Sequence, residues 1–209
     1  MQSAAFLDRD GVLNRLVMRD GRAVSPRRLD EFELLPGVAP AVKALRRAGL
    51  RVIVVTNQPD LARGTLDPVE LQRMHRRLRR AVGLDAIYTC PHNDAAGCAC
   101  RKPKAGLLQQ ASREWDLHLE ASFLVGDSWK DVAAGKAAGC ATVVIGPRHS
   151  QPAGVQADFA AWDLPEAAEI IVGQLAKRND WLSAEYAQKE SDPRRQRHSS
   201  ADGDSHIRR

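Results

Sequence analysis

Short apolar runs alternate along the chain with stretches of helical spacing. Ala4–Leu7, Arg51–Thr56, Ala86–Thr89, Phe123–Gly126 and Ala141–Ile145 predict strands. Val38–Ala48, Pro68–Val82, Lys104–Trp115, Lys130–Ala138 and Leu164–Leu175 predict helices between and after them. The boundaries have local causes. Gly49 stops the first helix, while Asp67 as N-cap and Pro68 at the first helical position open the second. The run RVIVVT at 51–56 is apolar without alternation, as expected of a strand buried on both faces. Such alternation predicts an α/β, Rossmann-like three-layer fold with a parallel central sheet.

Parallel sheets bind ligands at the carboxyl ends of their strands. The polar residues fall there: Asp8 and Asp10 after the first strand, Thr56-Asn57-Gln58 at the end of the second, and Asp127 after the fourth. Two carboxylates in Asp8-Arg9-Asp10 suit a nucleophile and an acid–base partner, with Asp8 attacking phosphorus and Asp10 handling the proton. Carboxylates crowded against a phosphate need a cation, and Asp127 would complete an all-oxygen magnesium site. Thr56 and Lys102 can stabilise the phosphoryl oxygens. Alone, Asp-x-Asp reads as a turn; it is the ordered set of segments that points to phosphoryl transfer.

FLDRDGVLN, VVTNQ, CRKPKAG and VGDSWKD resemble the four motifs of the haloacid dehalogenase superfamily of phosphatases, over roughly residues 4–144. The resemblance implies a phosphoaspartate on Asp8, an acid/base role for Asp10 with its backbone carbonyl on magnesium, and phosphoryl-stabilising roles for Thr56 and Lys102. It also implies Asp127 as metal ligand and Asp131 as a supporting acid. No large insertion separates the motifs, so the type is capless.

Cys90-Pro91-His92 and Cys98-Ala99-Cys100 supply three sulfurs and one imidazole, a soft tetrahedral set that predicts a structural zinc in the loop 90–100. Cys140 stands alone in an apolar stretch and reads as a buried small hydrophobe. The loop narrows the resemblance to zinc-bearing sugar-bisphosphate and histidinol-phosphate phosphatases. Asn57, Gln58, Arg63 and Arg101 match substrate-binding positions there. A heptose bisphosphate is the favoured substrate; histidinol phosphate and a nucleic-acid 3′-end are the alternatives. Three stretches depart from that pattern: the loop 15–28, Pro59-Asp60, and Ser128 in place of a basic residue. They lie where substrate would be read. Arg19, Arg22, Arg27 and Arg28 are either an anchor for a second phosphate or solvated loop charges.

Composition changes little in this picture. Hydrophobic residues make up 44% and charged residues 27% of the 209, ordinary for a globular chain. No apolar run approaches the ~20 residues of a membrane helix, and the acidic pair comes too early for a signal peptide, so a cytoplasmic monomer is expected. The net charge of +5 raises the question of polyanions. Its densest source, 73–80, reads as a solvated face: Leu71, Met74, Leu78 and Val82 form a buried stripe and the arginines point away. A nucleic-acid partner is the lesser reading. Residues 1–184 form the expected phosphatase domain. The segment 185–209, with six basic and five acidic side chains and no apolar period, is expected to be disordered.

Overall fold

The computed structural model describes residues 2–146 and 154–190, with the side chains of 182–190 excepted. Its strands and helices are β1 Ala4–Leu7, β2 Val17–Arg19, β3 Arg22–Val24, α1 Val38–Arg47, β4 Arg51–Asn57, α2 Pro59–Ala62 and α3 Pro68–Val82. There follow β5 Ala86–Cys90, α4 Gly106–Trp115, β6 Phe123–Gly126, α5 Trp129–Ala138, β7 Ala141–Ile145, β8 Phe159–Ala161 and α6 Leu164–Glu190.

Six strands pair in the order β5-β4-β1-β6-β7-β8, all of them parallel. β1 lies at the centre because all four of its side chains are apolar and buried, so either face can be covered. The chain winds outward from β1 to β4 and β5, then returns to place β6 on the other side of β1. That reversal opens a crevice between the carboxyl ends of β1 and β6. Asp8 leaves β1 there, held by its backbone N–H donating to the Val125 carbonyl at 2.9 Å.

The helices cover the sheet with the faces their spacing predicts. α1 buries Val38, Ala41, Val42 and Leu45, α3 buries Leu71, Met74, Leu78 and Val82, and α1 packs on α3. The Asp67 carboxylate caps α3 by accepting from Val69 N–H at 2.7 Å, and Gly83 ends it in the left-handed conformation. Cys140 is buried, as expected.

Three short strands and one helical turn were not expected. β2 and β3 form a hairpin inside the loop 15–28, turning through Asp20 and Gly21, both at positive φ. β8 adds a sixth parallel strand beside β7, and α2 is a single turn started by Pro59. Three or four residues give too short a window for periodicity to register.

The chain divides into two units, 1–172 and 173–209. The first holds the sheet and every candidate site residue. The second holds the greater part of α6, which runs to Glu190 rather than stopping near Leu175. The expected loss of order from residue 185 is therefore corrected for 185–190; residues 191–209 lie outside the described residues. Among the described residues no helix is long and apolar enough to cross a membrane.

Candidate active site and metal centres

Lys102 is the hub of the crevice. Its side chain is 2% exposed, and its Nζ lies 2.8 Å from Asp8 Oδ1 and 2.5 Å from Asp131 Oδ1. Nζ also donates to the Val55 carbonyl at 2.9 Å. Burial opposes the charge on Lys102, but Asp131 and Asp8 more than offset that and hold it protonated. Asp131 sits in the first turn of α5, where it forms a capping box with Ser128. The Ser128 hydroxyl donates to it at 2.5 Å. Ser128, one of the departures from the family pattern, is thus a helix cap that fixes Asp131. Gly126 lets β6 come this close: a Cβ there would lie 2.2 Å from the Asp131 side chain.

Asp8, Asp127 and Asp131 each offer a carboxylate oxygen, all within 4.8 Å of one another. Burial pushes the Asp8 carboxyl up to about 8 against the pull of Lys102, with Asp131 and Asp127 adding to the rise. Burial and Asp131 likewise push Asp127 up to about 6. These carboxyls hold more negative charge than Lys102 alone can compensate, and a hard divalent cation is what such an all-oxygen set fits. Gly11 belongs to the same pocket, at positive φ and so close that a Cβ would lie 2.1 Å from Asp127 Oδ2. Asp131, expected only as a supporting acid, joins the cluster directly.

The Asp10 side chain is turned away from that cluster. Oδ1 accepts from Arg9 Nε at 3.0 Å, Arg9 Nη2 at 2.8 Å and Asn14 Nδ2 at 2.9 Å. Oδ2 accepts from Arg9 Nη2 at 2.9 Å and Gln58 Nε2 at 2.7 Å. Burial alone would raise its pKa; the Arg9 charge and these bonds overcome that, holding the carboxyl below the usual range. Among the described residues no donor reaches the Asp10 backbone carbonyl, which leaves it open to a cation. Arg9 itself is fully buried, with Nη1 3.3 Å from His75 Nε2 on α3. Desolvation and the Arg9 charge press His75 down to about 3, so it is neutral and accepts from Arg9. Arg9, Asn14 and His75 were not foreseen. The only sequence signal is an arginine between two aspartates, and alternation there would send it outward.

Two residues expected to contact substrate, Asn57 and Gln58, make hydrogen bonds within the site. Asn57 Oδ1 accepts from the Lys102 backbone N–H at 3.1 Å, and Nδ2 donates to the Lys102 carbonyl at 3.1 Å. Asn57 is thus a strut between β4 and the Lys102 segment. Gln58 is fully buried, its amide committed to Asp10 and, at 2.9 Å, to Thr56 Oγ1. By accepting from Gln58, the Thr56 hydroxyl keeps its own proton free to donate. Arg63 and Arg101 make no hydrogen bond or ion pair to the cluster. Arg63 pairs with Asp60 at 3.1 Å. Arg101 donates to Asp94 at 2.6 Å and to the His92 carbonyl at 3.2 Å.

Cys90, at the end of β5, is paired with Asn57 across the sheet. It starts a loop that folds back so that Cys90, His92, Cys98 and Cys100 converge. The sulfurs lie 3.7 Å (Cys90–Cys98), 3.3 Å (Cys90–Cys100) and 3.5 Å (Cys98–Cys100) apart, with no disulfide. His92 Nδ1 lies 3.6 Å from Cys90 Sγ and 3.3 Å from Cys100 Sγ. Three sulfurs and one nitrogen placed tetrahedrally at zinc bond lengths would be roughly 3.5–3.8 Å apart. The cluster spans 3.3–3.7 Å, so a zinc would be accommodated with a slight expansion. The loop leads straight into Arg101 and Lys102, and Lys104 Nζ ties back to the Gly97 carbonyl at 2.7 Å.

Of the four loop arginines, three are engaged. Arg19 pairs with Glu31 at 2.7 Å, Arg28 with Asp30 at 3.1 Å, and Arg27 with Asp60 at 2.6 Å. The last contact joins two departures from the family pattern, the loop 15–28 and Asp60, into one unit.

The model of the haloacid dehalogenase-like hydrolases matches residues 3–139. A D-glycero-beta-D-manno-heptose-1,7-bisphosphate 7-phosphatase from Bordetella bronchiseptica is 37% identical over 170 residues, 79% of this chain and 89% of that protein. A D-glycero-alpha-D-manno-heptose-1,7-bisphosphate 7-phosphatase from Mycobacterium tuberculosis is 38% identical over 160 residues, 71% of this chain and 82% of that protein. A crystal structure of the B. bronchiseptica D,D-heptose 1,7-bisphosphate phosphatase with magnesium and phosphate aligns with a TM-score of 0.66 and 33% identity. It covers 83% of this chain and 99% of that one.

Proposed function

The chain belongs to the haloacid dehalogenase-like hydrolases, and from that premise we propose that it is a D-glycero-D-manno-heptose 1,7-bisphosphate 7-phosphatase. The observation that carries the reading is Lys102 bridging Asp8 and Asp131 beside Asp127 at the mouth of the β1/β6 crevice. The names of the relatives above support the substrate.

In the proposed reaction Asp8 Oδ attacks the 7-phosphate, the P–O bond to the sugar breaks, and the leaving oxygen takes a proton from Asp10. Water then gives a proton to Asp10 and attacks phosphorus, which releases phosphate and restores the Asp8 carboxylate. Lys102 and the free Thr56 proton face the phosphoryl oxygens. Magnesium held by Asp8, the Asp10 carbonyl and Asp127 would offset the crowded negative charge. Asp10 is ionised in this arrangement, with Arg9 donors on both oxygens. It serves as the acid only after taking up a proton from water, which requires its bonds to Arg9 and to Gln58 or Asn14 to open. Arg101 and Arg63, positioned through Asp94 and Asp60, are the proposed contacts to the rest of the substrate.

Phosphate release measured across both heptose bisphosphate anomers, histidinol phosphate and a 3′-phosphorylated oligonucleotide tests the substrate. One heptose anomer is expected to exceed the other two classes by at least ~10²-fold in kcat/KM. Preference for either of those classes refutes the assignment. Relatives that bear each anomer's name match at similar identity, so the anomer is decided by this comparison.

The two proposed metals differ in lability. EDTA under mild conditions is expected to stop turnover, and added magnesium to restore it, while about one zinc per chain stays bound. Cys98→Ser is expected to lower the zinc content and raise KM by loosening the segment that carries Arg101 and Lys102. Structural zinc contributes on the order of 10 kcal/mol to folding, so a large fall in melting temperature should accompany the loss. Wild-type protein from zinc-replete cells that contains no zinc, or turnover on zinc alone, contradicts this division.

A further inference from the structure

Leaving the crevice aside, α1 and α3 together carry a density of positive charge that neither shows alone. They pack side by side; one concavity lies on their seam, and a second runs along α3 beside Leu29. One, of about 780 Å³, is walled by Lys43, Arg46 and Arg47 of α1 against Ala81, Val82 and Gly83. The second, of about 460 Å³, is walled by Arg73, Arg76, Arg77 and Arg80 of α3 with Leu29 and Ala81. Ala81 lines both, so the two adjoin there, and together they are the α1/α3 trough.

Two of the wall cations are neutralised: Arg46 by Asp85 at 3.0 Å and Arg73 by Glu70 at 2.8 Å. Lys43, Arg47, Arg76, Arg77 and Arg80 have no ion-pair partner among the described residues. A solvated helix face scatters its cations over a convex surface. Here five unneutralised cations line two adjoining concavities, Lys43 and Arg47 in one and Arg76, Arg77 and Arg80 in the other.

We propose that the α1/α3 trough binds the phosphate backbone of double-stranded nucleic acid, without reading its sequence. No aromatic side chain lines either concavity, so the stacking platform that single strands require is missing. No large apolar side chain projects from the trough for insertion into lipid; the exposed ones are Leu16, Met18, Val69, Trp162 and Trp181, none of which lines it. From Arg73 to Arg80 the helix advances roughly 10 Å. That length of duplex presents about six phosphates, against the three unpaired cations, Arg76, Arg77 and Arg80, that α3 offers over it. The C-terminal ends of α1 and α3 lead into the starts of β4 and β5, so that end of the trough lies across the sheet from the carboxyl-end crevice. The other end of α3 lies nearer the site: His75, between Arg73 and Arg76, is 3.3 Å from Arg9.

Fluorescence anisotropy with labelled 20-base-pair DNA and RNA duplexes, on the full-length, metal-loaded protein, tests this. Non-specific binding of this type has a Kd of about 10⁻⁴–10⁻⁶ M near physiological salt and tightens as salt falls. Neutralising up to five phosphates gives a log–log salt slope on DNA reaching about −4.5. Arg77→Gln/Arg80→Gln is expected to flatten that slope by about 2 and to weaken binding at least ~10-fold at low salt. Arg77→Glu/Arg80→Glu should abolish binding. Neither pair is bonded to the crevice, so both variants should release phosphate from the sugar substrate at the wild-type rate, which also shows that they fold. Absence of duplex binding at low salt, binding unchanged in both variants, or association with phosphatidylserine vesicles but not duplex would overturn the proposal. These results are independent of which sugar phosphate the crevice hydrolyses.

Discussion

Asp8→Asn is expected to lower kcat by at least ~10⁴-fold, the scale seen when a covalent nucleophile is removed, while substrate still binds. Lys102 keeps Asp131 as its partner, so the fold should survive the loss of the Asp8 charge. A second readout separates this from a trivial loss. In the metal-free protein the Asp8 carboxyl titrates near 8, against an ordinary value of 3.8. The folded chain thus keeps a proton that the unfolded chain releases, and stability falls as pH rises from about 4 to 8. Asp8→Asn removes that contribution, so the decline in melting temperature over this window should flatten. Phosphate release above ~10⁻² of wild type would show that no phosphoaspartate forms at this position.

Lys102→Met should cost both activity and stability. Removing the ammonium leaves the buried Asp8 and Asp131 carboxylates with no cation in the metal-free protein, and breaking a buried pair in this way costs about 3–5 kcal/mol. For a chain of this size that corresponds to a fall in melting temperature of roughly 6–20 °C. The deficit should shrink as pH falls below about 8, where Asp8 takes up a proton even against the pull of Lys102. Melting curves at pH 5 and 8 decide it. A variant within ~2 °C of wild type at pH 8 would mean that Lys102 does not compensate this cluster.

The central strands β1, β4, β6 and β7 were legible because each is an unbroken apolar run between turn signals. Their carboxyl ends carried Asp8, Thr56 and Asp127 into one crevice on topology alone. The Cys/His cluster was legible because its four members are close in sequence. What escaped depends on partners distant in the chain. Nothing local says that Arg9 is buried, because its burial rests on His75 and on Asp10 turning back toward it. Asn57 and Gln58 are substrate-binding positions by resemblance, and nothing local shows the bonds they make inside the site. Their amides satisfy the Lys102 backbone and the Asp10 carboxylate. The basic helix reads as a solvated face from its own spacing; that Lys43 and Arg47 lie on the helix beside it is set by the packing of α1 on α3. α6 outran its expected end because its continuation past Leu175 leaves no apolar period to follow.

The Arg27–Asp60 contact has a bearing on how specificity could be transferred. Asp60 is 7% exposed and holds Arg63 as well as Arg27. Replacing the 15–28 segment alone with a relative's version would strand that carboxylate, and replacing Pro59-Asp60 alone would strand Arg27. The hairpin and the α2 turn are therefore a cassette: chimaeras that exchange both together should keep their fold and inherit the donor's sugar preference, whereas single exchanges should lose stability before they change selectivity.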